Sequence, residues 1–245
     1  MKLTCINSGS AGNCYLLDSG TSILILELGV PLHDIKVALN FNLTHVCGAV
    51  VTHEHLDHRK AIGNASKAGI DIYTSKGTID ALNISSHRVK AVPAMKSFMI
   101  GEFRVMPFDV RHDCKEPFGY MIHHEQCGNV LFVTDSFYVP YTFPNLNNII
   151  VEANYCEQIM ADKFLGGDLS KLIRDRVMKS HMSLKTCQDL LRANDLKAVN
   201  NIVLIHLSDS NSNEKVFKKK IQDQTGKNVH IAKKNMTIDF SKTPF

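Results

Sequence analysis

Residues 46–52, Val-Cys-Gly-Ala-Val-Val-Thr, form a continuous apolar run that ends abruptly in His53-Glu54-His55-Leu56-Asp57-His58. A run of this length and composition reads as a buried strand. The polar cluster therefore falls at the carboxyl end of a strand, where open α/β sheets build their sites. In extended backbone, side chains at i and i+2 point the same way, so His53 and His55 can share one ion. Asp57 and His58 come past the bend, at the mouth of the following helix. They face another direction and can serve a second ion. Imidazole combined with carboxylate suits zinc, manganese or iron rather than calcium or magnesium.

The zincin pattern His-Glu-x-x-His is excluded, because Asp57 stands where its second histidine belongs and the segment begins on a strand rather than within a helix. A histidine-rich loop arising by chance would not concentrate four ligand-type side chains at this spacing. Two ions need more donors than this segment supplies. Three candidates follow other strand-like runs: His112 after Phe108-Asp109-Val110-Arg111, Asp135 after 130–134, and His206 after 202–205. His123 and His124 are adjacent on a strand and point to opposite faces. With His33, His45, His87 and His230 they read as surface or core residues.

The remaining sequence alternates short strands and helices. Strands are expected at 3–6, 15–18, 22–27, 70–74, 148–152, 198–206, 229–231 and 236–240, with strand-like text through 89–134 that includes a hairpin at Cys127-Gly128-Asn129. Helices are expected from Pro31 to about residue 40, and at 59–68, 76–82, 155–163, 168–178, 183–193 and 213–223. This order predicts a layered α/β architecture with sheet inside and helices outside. No repeat, low-complexity tract or linker marks a boundary, so 1–245 is read as one domain.

Composition removes several classes. The apolar run 23–26 is cut by Glu27 and the N-terminus has no signal-peptide core, so no membrane association is expected. Seven cysteines without a Cys-x-x-Cys pair argue against a disulfide framework or a thiolate zinc site, and for a reducing, cytoplasmic setting. The net charge of +4 is modest, yet from residue 214 onward eight lysines face three acids. That tail could meet phosphates; its plainer reading is the solvated face of a terminal helix.

The ordered series His53-x-His55-x-Asp57-His58, His112, Asp135 and His206 resembles the ligand set of binuclear metallo-β-lactamase-fold hydrolases. Ser8-Gly9-Ser10-Ala11-Gly12-Asn13, Val151-Glu152-Ala153-Asn154-Tyr155, His181-Met182-Ser183 and His206-Leu207-Ser208 with Asn211 resemble segments of its WalJ/YycJ-type branch. The resemblance implies a four-layered αββα sandwich, two mixed sheets face to face with helices outside. It departs at Glu27-Leu28-Gly29, where the family pattern has Asp-x-Gly; that carboxylate is expected to support a ligand rather than to be one.

By the resemblance, His53, His55 and His112 hold one divalent ion, Asp57, His58 and His206 the other, and Asp135 bridges them. Zinc or manganese would then activate a bridging hydroxide that Asp57 helps to orient. His181 is the candidate for protonating the leaving group or holding substrate phosphate. Asn13 and Asn154 are candidate substrate contacts, and Ser183 reads as a helix N-cap. The family's lactam-opening enzymes carry a late cysteine ligand and lack the second histidine of the cluster, whereas this chain has Asp135 and His58. Lactam opening is therefore not expected; the same ligand set serves phosphodiester and thioester hydrolysis, and the WalJ/YycJ-type resemblance implies phosphodiesters, cleaved by a nuclease or a nucleotide (including cyclic-nucleotide) phosphodiesterase. A glyoxalase-like thioester hydrolase is the alternative, and the intact ligand series argues against an inactive interaction protein. The sequence leaves the oligomeric state open.

Overall fold

The structure, a computed structural model, describes residues 1–243. The chain opens with β1 (Lys2–Asn7), β2 (Cys14–Asp18), β3 (Ile23–Leu26), α1 (Leu32–Ala38) and β4 (Val46–Val50). Next come α2 (Leu56–Arg59), α3 (Ile62–Lys67), β5 (Ile72–Thr74), α4 (Lys76–Leu82), β6 (Val89–Ala91), β7 (Phe98–Ile100) and β8 (Phe103–Asp109). The second half runs β9 (Phe118–His124), β10 (Gly128–Val133), β11 (Leu146–Glu152), α5 (Glu157–Gly166), α6 (Lys171–Ser180) and α7 (Leu184–Ala193). It closes with β12 (Asn201–Ile205), α8 (Glu214–Thr225), β13 (Asn228–Ile231) and β14 (Met236–Asp239).

The strands make two seven-stranded sheets, ordered β14-β1-β2-β3-β4-β5-β6 and β13-β12-β11-β10-β9-β8-β7. Both are mixed: β3 to β6 pair in parallel, as do β10 to β13, while β1–β2 and β8–β9 are antiparallel. Alternation along each strand divides the apolar residues into layers. On β10, Val130 and Phe132 face the other sheet, while Leu131 and Val133 face outward to α7 and α8. On β2, Tyr15 and Leu17 point between the sheets, and Cys14 and Leu16 pack in the layer that includes Ile35, Ile62 and Ala65 of α1 and α3. The result is the αββα sandwich.

One helix differs from expectation. The segment 59–68 was expected to be a single helix; it starts earlier, at Leu56, and splits into α2 and α3. The physical reason is a long-range hydrogen bond: the Ala61 N–H donates to the Leu28 carbonyl (2.8 Å) instead of continuing the ladder. The lysine-rich C-terminal segment forms α8, which buries Phe217 and Ile221 and turns its lysines outward. Among the described residues, no helix is long and apolar enough to cross a membrane.

Candidate metal centre

The site lies along one edge of the sandwich, where strands from both sheets end. Glu27 follows β3, Asp135 lies just past β10, and His206 follows β12. All three have left-handed backbone, with φ of 67°, 44° and 52°. Such conformations cost a non-glycine residue about 1–3 kcal/mol each and persist only where the surroundings enforce them. Here the enforcement is visible. The His206 N–H donates to Ser8 Oγ (2.9 Å), and the Asn154 amide donates to the His206 carbonyl (2.8 Å). Thr134 Oγ1 donates to Asp135 Oδ1 (2.7 Å).

The His53–His58 segment is anchored just as firmly. The Thr52 N–H donates to Glu27 Oε1 (3.2 Å), and the Asn13 N–H donates to the Asp57 carbonyl (2.8 Å). Leu28 N–H reaches the His58 carbonyl (2.9 Å) and Gly29 N–H the Asn13 carbonyl (2.9 Å). Gly29 packs so closely that a Cβ there would collide with the Asp57 carbonyl. Only glycine permits this approach.

Among the described residues, three sets of donors converge, and the third, Asp135, Glu152, His181 and His206, shares Asp135 and His206 with the second. The imidazoles of His53, His55 and His112 each offer a ligand atom within 4.8 Å of the other two, and so do Asp57, His58, Asp135 and His206 among themselves. Asp135 Oδ2 stands between these two sets, 3.9 Å from His53 Nε2, 3.8 Å from His112 Nε2 and 3.3 Å from His58 Nε2. His206 Nε2 lies 3.2 Å from Asp57 Oδ2. The far sides of two rings are pinned, His112 Nδ1 donating to the Ser180 carbonyl (2.7 Å) and His53 Nδ1 meeting Thr52 Oγ1 (2.9 Å), while Glu27 Oε2 faces His58 Nδ1 at 3.4 Å. Supports of this kind fix the orientation of metal-binding imidazoles.

The donor set fits a cation. His53 Nε2 is buried without a hydrogen-bond partner, although leaving a buried polar atom unmade costs about 1–3 kcal/mol. Burial and the neighbouring imidazoles hold His53 well below the usual histidine pKa, so it is neutral, as a ligand must be. Burial alone would raise the Asp57 carboxyl, but His206 and His58 hold it below the usual carboxylate range. Burial also opposes charge on His206, yet Asp135, Asp57 and Glu152 push its pKa up to about 10. Buried anions gathered here require positive charge, from protons or from metal.

His181 joins this group from between α6 and α7. Its Nδ1 meets Glu152 Oε1 at 2.7 Å and lies 3.8 Å from Asp135 Oδ2. Burial disfavours its charge, but Glu152 and Asp135 outweigh that and raise its pKa. A cavity of about 440 Å³ opens over the donors, lined in part by Ser10, Asp57, Asp135, Arg176, His181 and His206. Asn13 and Asn154 do not line it. Both are buried: the Asn13 amide nitrogen sits 3.4 Å from Asp57 Oδ2, and Asn154 holds the His206 backbone. Ser183 caps α7, accepting from the Thr186 N–H (3.0 Å). Glu54 turns away, accepting from the Lys115 N–H (2.7 Å), which agrees with the exclusion of the zincin pattern.

Glu152 is the residue to which sequence reasoning gave no role. Fully buried at the end of β11, it accepts from the Ser136 N–H (3.1 Å) and the Met182 N–H (3.0 Å) while meeting His181 and His206. The signal was present: a carboxylate ending an apolar strand, as for Asp135.

The family described as Beta-lactamase superfamily domain matches residues 14–207. Exodeoxyribonuclease YycJ of Bacillus anthracis is 27% identical over 151 residues, which are 57% of this chain and 56% of that relative's length. The chain thus spans little more than half of YycJ. Exodeoxyribonuclease WalJ of Streptococcus pneumoniae is 24% identical over 228 residues, 86% of this chain and 83% of the relative. The fold superposes on the metallo-beta-lactamase fold protein YhfI from Bacillus subtilis with a TM-score of 0.74 at 18% identity, covering 97% and 98% of the two chains. Human tRNase Z, short form, gives 0.66 at 16% identity, with 98% and 99% covered.

Proposed function

Because this chain belongs to the beta-lactamase superfamily, we propose that it is a metal-dependent hydrolase that holds two divalent ions, zinc or manganese, and cleaves phosphodiester bonds of nucleic acid or nucleotides. The carrying observation is the convergence of seven donors in two sets about Asp135. His53, His55 and His112 would hold one ion, and Asp57, His58 and His206 the other, with Asp135 shared. Bound there, two such ions would supply Lewis acidity and lower the pKa of water towards neutrality.

The chain's own residues do the rest. Asp57, on the cavity wall, accepts a hydrogen bond from the attacking water and orients it. His181, oriented by Glu152 through Nδ1, gives a proton from its other nitrogen to the leaving oxygen. A buried carboxylate behind the imidazole favours the protonated form that such an acid needs. Asn13, Asn154 and Glu27 position Asp57, His206 and His58. The likeness to relatives named as exodeoxyribonucleases supports phosphodiesters over thioesters, and the free cysteines support a reducing, cytoplasmic setting.

The test is elemental analysis of the purified protein alongside hydrolysis of bis(p-nitrophenyl) phosphate. About two zinc or manganese ions per chain are expected, with Asp135→Ala losing both metal and turnover. No transition metal after reconstitution would refute the assignment. Bound metal with turnover of an acylated thiol alone would move the substrate to thioesters.

A further inference from the structure

The two backbone segments that bring Asp135 and His181 to the metal cavity continue side by side into a second one. Phe137 follows two residues after Asp135, and Met182 directly after His181. Both line a cavity of about 590 Å³ between residues 137–142 and α7, together with Tyr138 and Tyr141 and the polar side chains of Thr186 and Asp189. Two of its rings are left in water: Phe137 is 40% exposed and Tyr138 54%. Neighbouring aromatics exposed beside a polar site offer a stacking surface rather than a core.

Charge on either side completes the arrangement. Arg111 forms an isolated antiparallel bridge with Tyr138, a pairing that sets the two side chains on the same side. Arg176, on the rim of the metal cavity, has a 74% exposed side chain and only a 3.6 Å contact with Asp113. A ligand that joins an anion to a flat ring matches a metal cavity and an aromatic cavity lined by chain neighbours of Asp135 and His181. A simple phosphate or an acyl chain would leave the aromatic wall unused.

We propose that the second cavity receives the nucleoside attached to the scissile phosphodiester, its base stacked on Phe137 and Tyr138 while its phosphate lies in the metal cavity. The proposal rests on the phosphodiesterase reading and narrows it. A base can enter only if it is unstacked from its neighbours, so the substrate is a single-stranded end or a free nucleotide rather than the interior of a duplex.

The experiment is a binding titration of the metal-loaded protein, with 2-aminopurine as the base, whose fluorescence falls when it stacks on an aromatic ring. Three probes are compared: the 5′-monophosphate, a short single strand carrying the base at its end, and a duplex carrying it inside. Saturable quenching is expected with the first two and not with the third. Tighter binding of the strand assigns a polymeric substrate, and equal binding a nucleotide. Phe137→Ala and Tyr138→Ala each weaken binding about tenfold, and Tyr138→Trp retains it. Both residues are surface-exposed, so folding is not at stake. Absence of saturable quenching, or quenching unchanged in the double alanine variant, overturns the proposal. Hydrolysis is followed separately: quenching without phosphodiester turnover removes the parent reading and leaves the pocket, while turnover without quenching does the opposite.

Discussion

Glu152 is the residue on which the candidate site depends most after the donors themselves. Its carboxylate is fully buried and serves four groups: two backbone N–H donors, at Ser136 and Met182, and two imidazoles, His181 and His206. Replacing it with glutamine would turn an NH2 towards groups that need an acceptor, leaving buried donors unmade at about 1–3 kcal/mol. The orientation of His181 would go as well. Glu152→Gln is therefore expected to lower phosphodiester turnover about 10- to 100-fold while most bound metal is retained. Loss of the carboxylate that favours imidazolium would also shift the alkaline limb of the pH–rate profile, where His181 gives up its proton, to lower pH. Steady-state rates across pH, with metal content measured on the same sample, decide it; an unchanged rate and profile would remove Glu152 from the machinery. Strand-end position alone was enough to single out Asp135 and His206 in the sequence, and Glu152 obeys the same rule. Although it stands in the 151–155 segment that carries the resemblance, it received no role because a lone glutamate carries no spacing signal, whereas its four partners come from segments distant along the chain.

At the level of elements, local pattern and tertiary contact diverge in instructive places. The strand 46–52 and the cap at Ser183 were legible because each has a local cause, an apolar run in one case and a side-chain acceptor for a helix N–H in the other. The break between α2 and α3 was not, since the Ala61 N–H is drawn away by Leu28, thirty-three positions earlier in the chain. The departure from Asp-x-Gly at Glu27 is likewise resolved only in three dimensions, where the longer side chain reaches both the Thr52 N–H and the back of His58. The α7 cap gives a clean test of an element's contribution. Ser183 Oγ satisfies the Thr186 N–H at 3.0 Å, and α7 then buries Leu184, Cys187, Leu190 and Leu191 against the second sheet. Ser183→Ala should cost about 1 kcal/mol, seen as a lower urea midpoint with unchanged slope. An unchanged midpoint would mean that packing alone fixes the start of this helix.

The whole molecule is three apolar layers, and four buried cysteines are distributed through all of them. Cys5 and Cys127 lie between the sheets, Cys14 under the helices of the first sheet, and Cys187 under those of the second. These four pack as small core residues, while Cys47, Cys114 and Cys156 are partly exposed. Burial pushes the Cys5 and Cys127 thiols up to about 12, and raises Cys14 and Cys187 further from reactivity. The sign is that of a raised acid: the reactive thiolate is depleted at every pH below the shifted value and returns as pH climbs towards it. At pH 8 a thiol with a pKa near 12 is ionised in only about one molecule in ten thousand, and the packed layers exclude reagent as well. Iodoacetamide at that pH should therefore modify at most Cys156 and, more slowly, Cys47 and Cys114, whose thiols partial burial also raises, in the native protein, and all seven cysteines once denaturant is added. Mass spectrometry of the labelled peptides reads each layer separately along a denaturant series. If the sandwich unfolds as one cooperative unit, the four buried positions become reactive at a single midpoint. Exposure of Cys14 before Cys5 and Cys127 would mean that the helices of the first sheet detach while the two sheets still hold, and native labelling of Cys5 or Cys127 would contradict the face-to-face packing itself.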